Sequence, residues 1–206
     1  TMVGFEFATT HRVLVEAGAA TRLPELCQQL GATRVMLVTD PGIRSTPLLG
    51  PVEESFRSAN MPLTLFDQVT ADPADSVVLE AAASARDAGA DLVIGFGGGS
   101  SMDVAKLVAL LSHPKASQQL SDIYGVGLAT GPRLPLVQVP TTAGTGSEVT
   151  PVAIVTTGAT TKAGVVAPSL LPDLAVLDAE LTLGLPPHVT AATGVDAMVH
   201  AIEAYT

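Results

Sequence analysis

The fold is decided by residues 91–108, which read DLVIGFGGGSSMDVAKLV. Residues 91–94 form a short, mainly apolar run typical of a buried strand, and apolar residues recur with helical spacing after residue 101. A strand, a glycine turn and a helix predict a phosphate cradle, because glycine allows close approach of the backbone and a helix N-terminus attracts anions. Ser100 or Ser101 is expected to cap this helix.

The glycine run does not identify a ligand by itself. Tight turns of any α/β domain also use glycine, so a plain turn stays open as the alternative. The run is not a Walker loop, because no Gly-Lys-Ser/Thr closes it, and it departs from G-x-G-x-x-G, because position 100 is Ser. Other parts of the sequence must therefore distinguish a turn from a cradle.

Composition and charge indicate an acidic, globular chain. Of its 206 residues 47% are hydrophobic and 15% are charged, a composition that argues against disorder. The net charge of −10 argues against a nucleic-acid surface. No apolar run reaches the ~18 residues of a membrane span, and no signal-peptide pattern is visible. The single cysteine, Cys27, cannot form an internal disulfide. We therefore expect a cytoplasmic protein without nucleic-acid or membrane partners.

Apolar runs alternate with helical patterns along most of the chain. Strands are predicted at 13–15, 35–39, 63–66, 92–94, 136–139, 152–155 and 174–177. Helices are predicted at 19–30, 47–59 and 72–89, the last with Pro73 at its first position. This alternation predicts an α/β fold, a Rossmann-like parallel sheet flanked by helices.

Two further features carry polar groups. The loop at 140–148 joins the glycine loop at the strand ends, where a nucleotide can bind, although a polar turn is the alternative. Residues 189–206 are predicted to form one helix that places Asp196, His200 and Glu203 on one face. Asp196 and His200 have the spacing of a metal-binding pair, and an ordinary solvated pair is the alternative.

Three motifs in order resemble the iron-containing (group III) alcohol dehydrogenase family. They are GGGSxxDxxK at 97–106, PTTAGTGSE at 140–148 and GxDAxxHAxEAY at 194–205, and LPDLAxLDxELT at 171–182 fits the same pattern. The resemblance implies a dinucleotide-binding α/β domain at 1–186 and the start of a C-terminal helical metal-binding domain at 187–206. The remainder of that all-helical domain, with two further histidine ligands, is expected to be missing, which would leave this fragment inactive alone.

The resemblance also implies roles for individual residues. The pyrophosphate of NAD(P) would be held by Gly97, Gly98, Gly99, Ser100 and Ser101. The rest of the cofactor site would be lined by Thr141, Thr142 and Ser147, with Lys162 near the nicotinamide ribose. Asp196 and His200 would be metal ligands and catalytic residues. Asp40, which ends the second strand, would bind the adenine-ribose hydroxyls and repel a 2′-phosphate, which favours NAD over NADP.

The implied reaction is oxidation of an alcohol, or reduction of an aldehyde or ketone, by hydride transfer with NAD(P) and a divalent metal as Lewis acid. Carboxylate and imidazole ligands suit Fe(II), with Zn or Mn as alternatives. Two other interpretations stay open: a truncated, non-catalytic nucleotide-binding module, and a relative similar to glycerol dehydrogenase or dehydroquinate synthase. The expected partners are a small-molecule alcohol or aldehyde and further copies of the chain, because an exposed apolar face on the last helix would favour a homo-oligomer.

Overall fold

The computed structural model describes residue 4, residues 7–158 and residues 160–205, so Thr206 of the predicted last helix lies outside the described residues. Within these ranges the α-helices are Leu23–Gln29 (α1), Pro41–Arg44 (α2), Leu49–Ser58 (α3), Asp75–Asp87 (α4), Gly99–Leu111 (α5) and Pro187–Tyr205 (α6). The strands are Val13–Val15 (β1), Val35–Val38 (β2), Leu63–Phe66 (β3), Leu92–Gly97 (β4), Gly125–Val126 (β5), Leu136–Pro140 (β6), Val152–Thr157 (β7), Thr161–Val166 (β8) and Leu174–Leu177 (β9). Short 3-10 helices lie at Ala19–Arg22, Leu120–Asp122, Ser147–Val149, Pro168–Leu170 and Ala179–Thr182.

Six strands form one parallel sheet in the order β1-β9-β6-β4-β2-β3. Successive residues of a strand point to opposite faces of the sheet, so a strand of apolar residues is apolar on both faces. Helices pack against both of these faces. Met36 and Val38 of β2 pack into a core with α4 and α5. Leu37 packs into a second core with Leu26 of α1 and Phe56 of α3. The predicted α/β fold with a parallel sheet flanked by helices is confirmed.

The order of the strands reverses between β2 and β4. The chain passes from β2 outward to β3 and then returns to place β4 on the other side of β2. In open α/β sheets the crevice outside the carboxyl ends of two such strands is where ligands bind. The loops that follow β2 and β4, at Asp40 and at Gly98, therefore meet at one place.

The predicted strand at 152–155 belongs to a separate sheet. β7 pairs antiparallel with β8 and lies in a three-stranded sheet of order β5-β8-β7. β8 is absent from the sequence-based prediction. Its residues do not alternate clearly between apolar and polar side chains, and its first two, Thr161 and Lys162, are exposed.

Helix α4 begins two residues later than predicted, so the placement of Pro73 at the first helical position is wrong. The carbonyl of Pro73 accepts a hydrogen bond of 2.8 Å from the N–H of Thr156, and Ala74 pairs with Thr156 as an isolated bridge. This contact with β7 keeps residues 73–74 extended, and α4 starts at Asp75.

Helix α6 lies on the surface of the molecule, and none of its described residues is buried. The side chains of Val195 and Ile202 are each 60% exposed, as expected for the apolar face predicted on this helix. Among the described residues, no helix combines the length and the apolar character needed to cross a membrane. The division of the chain at residue 186 stays a prediction.

Candidate functional site

The glycine loop leads directly from β4 into α5. Gly97 has a φ of +149°, a conformation that favours glycine. A Cβ at Gly97 would lie 2.8 Å from the hydroxyl oxygen of Ser101. Gly98 is the N-cap of α5, and its carbonyl accepts a hydrogen bond of 3.1 Å from the N–H of Met102. The predicted capping by Ser100 or Ser101 is therefore wrong, because both residues lie inside the first turn of the helix.

Asp40 stands beside this loop, at the end of β2. Its Oδ1 caps α2 by accepting a hydrogen bond of 2.9 Å from the N–H of Ile43, and its Oδ2 accepts one of 3.3 Å from the hydroxyl of Ser101. Asp40, Gly98, Gly99, Ser100 and Ser101 line one cavity of about 550 Å³, together with Val189 of α6. The carboxylate is thus held at the reversal point of the sheet, next to the glycine loop.

The second loop follows β6 and contacts the glycine loop from the other side. The N–H of Thr141 donates a hydrogen bond of 2.9 Å to the carbonyl of Gly97. The side-chain oxygens of Thr141 and Thr142 are buried and have no hydrogen-bond partner among the described residues. The Thr142 hydroxyl lies 3.8 Å from the position of a Cβ on Gly98. Buried hydroxyls are normally satisfied, so two that are not, beside a glycine loop, fit a polar ligand bound there.

Ser147, predicted to line the cofactor site, has its hydroxyl engaged within the protein. That hydroxyl donates a hydrogen bond of 2.7 Å to Oδ1 of Asp103 and accepts one of 2.8 Å from Nζ of Lys106. Neither charged residue is among the site residues predicted from the sequence. The available signal was their i, i+3 spacing in GGGSxxDxxK, which places them on one face of α5.

Asp196 and His200 face the same cleft as the glycine loop. They line a cavity of about 620 Å³ together with Gly99, Ser100, Asp103, Thr145, Ser147 and Lys162. Oδ1 of Asp196 lies 3.7 Å from Nε2 of His200, and both side chains are about half exposed. No cluster of three or more His, Cys, Asp or Glu residues occurs in the part of the chain that the structure describes. Asp196 and His200 are thus two candidate metal donors among the described residues of this cavity, whereas three or four protein donors are usual in a metal site.

Lys162 lies on β8 at the rim of this cavity. It forms an ion pair with Asp72, which also lines the cavity and has a left-handed φ of +54°. Both side chains are largely exposed, so the pair contributes little to stability. The predicted site residues therefore line two adjoining cavities that share Gly99 and Ser100, with three exceptions. Gly97, Thr141 and Thr142 line neither cavity. Gly97 and Thr141 are buried, as is the hydroxyl oxygen of Thr142.

The fold is that of an α/β domain with a six-stranded parallel sheet and two loops at the carboxyl ends of its strands. The chain matches the model of the iron-containing alcohol dehydrogenase family over residues 10–179, and it belongs to this family. It is 35% identical over 204 residues to sulfoacetaldehyde reductase of Bilophila wadsworthia, an alignment that covers 98% of this chain and 52% of the relative.

Solved structures agree with this assignment. A crystal structure of 1,3-propanediol oxidoreductase has a TM-score of 0.93 at 33% identity, covering 98% of this chain and 53% of that one. Sulfoacetaldehyde reductase from Bifidobacterium kashiwanohense, solved in complex with NAD+, has a TM-score of 0.83 at 29% identity, covering 95% and 51%. The chain thus spans about half the length of the relatives it matches.

Proposed function

We propose that this chain is the cofactor-binding part of an NAD-dependent, divalent-metal-dependent dehydrogenase that oxidises an alcohol or reduces an aldehyde or ketone. One observation carries the proposal: Gly99 and Ser100 of the glycine loop and the Asp196–His200 pair line one cavity. Two buried threonine hydroxyls beside the loop, Thr141 and Thr142, have no hydrogen-bond partner among the described residues and support it. Family membership and a related structure that holds NAD+ support it. The proposed domains are 1–186 for the dinucleotide and 187–206 for the first helix of the metal-binding part.

The residues around the glycine loop fit a dinucleotide. The N–H groups in the first turn of α5 have no acceptor within the helix and would hold the pyrophosphate. The Thr141 and Thr142 hydroxyls would gain the partners they lack. Asp40 would accept hydrogen bonds from the adenine ribose, and its charge would repel a 2′-phosphate, which makes NAD the proposed cofactor rather than NADP. Lys162 would approach the nicotinamide ribose from the rim of the neighbouring cavity.

Asp196 and His200 would hold the metal. One carboxylate and one imidazole suit Fe(II), Zn or Mn, and Fe(II) is the proposed ion. A bound nicotinamide would supply hydride-transfer chemistry, and a metal held by Asp196 and His200 would supply Lewis-acid polarisation of the substrate oxygen. The apolar side chains of Val152 and Ile154 form part of the wall of the same cavity and would exclude water from the substrate.

The substitution Gly98→Val tests the cofactor site. Gly98 has an ordinary φ of −81°, and a Cβ there would meet no atom closer than 3.8 Å, so the fold should accept it. The added methyl groups would occupy the cradle, and we expect the dissociation constant for NADH, measured by fluorescence titration, to rise at least about tenfold. The thermal midpoint should stay within about 4 °C of the wild type.

Gly50→Val is the matched control. Gly50 lies in α3, is exposed, and a Cβ there would meet nothing within 4 Å. It should leave NADH affinity unchanged. Equal NADH affinity of the Gly98→Val variant and the wild type would show that the loop is only a turn, and no NADH binding by any of the three proteins would reject the proposed function.

A further inference from the structure

Lys106 is a buried charge at the back of the proposed site. It lies on α5 and its side chain is fully buried. Its Nζ donates hydrogen bonds of 2.6 Å to the carbonyl of Val152 and 2.8 Å to the hydroxyl of Ser147, and it lies 3.4 Å from the Thr150 hydroxyl and 3.5 Å from Oδ1 of Asp103. An ammonium group is expensive to bury, so it requires this complete set of oxygen partners.

Asp103 completes the arrangement from the same helix. Its Oδ1 accepts the hydroxyl hydrogen of Ser147 at 2.7 Å, and its Oδ2 accepts a hydrogen bond of 3.0 Å from the N–H of Ile154. Lys106 and Asp103 together bind segment 147–154, which runs from the second loop into β7. This segment forms part of the wall of the cavity that holds Asp196 and His200, and the start of α5, to which the segment is hydrogen-bonded, also lines that cavity.

Burying the Lys106–Asp103 pair to link α5 with segment 147–154 is energetically unfavourable compared with apolar packing. Burial raises the pKa of Asp103 and lowers the pKa of Lys106, and in each case the charge of the partner acts against that shift. Well-packed apolar residues in place of a buried ion pair are often as stable or more stable. Stability alone therefore does not account for the pair, whereas a directional link between the phosphate-binding helix and the cleft wall does.

We propose that Lys106 and Asp103 are positioning residues that set the width of the cofactor cleft by fixing segment 147–154 against α5. This inference rests on the proposed function, since it assigns the pair to the same cofactor site. Neither residue needs to touch the dinucleotide, because both act through Ser147, Val152 and Ile154. The link is specific in geometry, since each bond ends on a defined oxygen or N–H group of the wall.

The test separates positioning from stability with two variants. Lys106→Met leaves the Asp103 carboxylate buried without its cation and should be strongly destabilised in urea unfolding. Asp103→Asn combined with Lys106→Met removes both charges and should regain most of that stability. In the double variant the amide oxygen at position 103 is one acceptor for two donors, the hydroxyl of Ser147 and the N–H of Ile154. The carbonyl of Val152 also loses its donor. Segment 147–154 should therefore stay displaced from its wild-type position.

We expect the double variant to bind NADH about ten- to one-hundred-fold more weakly than the wild type, the range for a lost hydrogen bond to a charged group. Hydrogen exchange in peptides covering 147–154 should be faster at the same time. Lys115→Met is the control, because Lys115 is an exposed lysine, and it should change neither quantity.

The outcomes decide the proposal. A double variant that does not fold, or one that folds and binds NADH as the wild type does, would show that the pair is merely structural. If the wild type itself fails to bind NADH, the proposed function is wrong, but hydrogen exchange still tests the positioning role. Unchanged exchange over 147–154 in the folded double variant would overturn that role, and faster exchange would support it.

Discussion

Gly144 sets how closely the second loop approaches α6. A Cβ on this residue would overlap the carbonyl oxygen of Thr193 and would lie 2.7 Å from the carbonyl carbon. Carbon atoms in contact are normally about 3.5–4.0 Å apart, so Gly144→Ala requires a movement of about 1 Å. Both partners at this contact are backbone, and neither can rotate away. The loop or the helix must therefore move.

We expect the helix to move rather than the loop. Overpacking a close contact costs about 1–3 kcal/mol, and α6 buries none of its described residues that could resist this cost. The second loop, in contrast, is tied to the sheet through Thr141 and to α5 through Ser147. Gly144→Ala should thus release α6 while the free energy of unfolding of the sheet changes by no more than about 0.5 kcal/mol.

Hydrogen exchange followed by mass spectrometry measures this directly. Peptides from α6 should exchange faster in Gly144→Ala, while peptides from α5 should be unchanged. Gly194→Ala is the matched control, since Gly194 lies inside α6 and a Cβ there would meet nothing within 4 Å. It should slow exchange in α6, because alanine favours a helix over glycine by about 1 kcal/mol. Unchanged exchange of α6 in Gly144→Ala would refute the reasoning.

Two further predictions concern carboxylates at the ends of strands. Asp40→Gly should raise the affinity for NADP relative to NAD, measured by parallel titrations, and a wild type that binds NADP as tightly as NAD would contradict this. Asp91→Asn should lower the free energy of unfolding by about 1 kcal/mol at neutral pH, because the Asp91 carboxylate accepts hydrogen bonds from Thr33 and Arg34. Burial tends to raise the pKa of Asp91, but these hydrogen bonds bring the pKa below its usual value. The stabilisation by Asp91 is therefore fully present above the unfolded-state pKa of about 3.9, and it is lost as the pH falls through the folded-state pKa. A difference between wild type and Asp91→Asn that persists at pH 2 in urea titrations would count against this assignment.

The main sheet was predictable because its signals are local. β2 and β4 are apolar runs buried on both faces of the sheet, which is the pattern of parallel strands between layers of helices. The glycine loop after β4 and the helical pattern of α5 complete a unit of adjacent residues. A parallel sheet flanked by helices follows from such units and the rule of right-handed crossovers, whereas the membership of its six strands does not.

Non-local contacts explain what the sequence did not reveal. Pro73 carries a helix-start signal, but its carbonyl bonds to Thr156, more than eighty residues further along the chain, and α4 starts later. The burial of Lys106 depends on Ser147 and Val152, and a lysine on a helix has no local pattern that predicts it. The approach of α6 to the second loop depends on Gly144, whose role is visible only once Thr193 is in place.

The glycine loop allows the two sequence-based interpretations, a turn or a cradle, to be compared position by position. A tight turn accounts for Gly97, since its φ of +149° and the nearby Ser101 side chain exclude a Cβ. A turn does not account for Gly98, which has an ordinary φ and room for a Cβ within the fold. The space beside Gly98 is faced by the Thr142 hydroxyl, which has no hydrogen-bond partner among the described residues. Neither φ nor a close contact requires glycine at position 98, and the neighbouring Thr142 hydroxyl has no partner among the described residues. Both observations favour the proposed cradle, in which a bound phosphate would supply that partner.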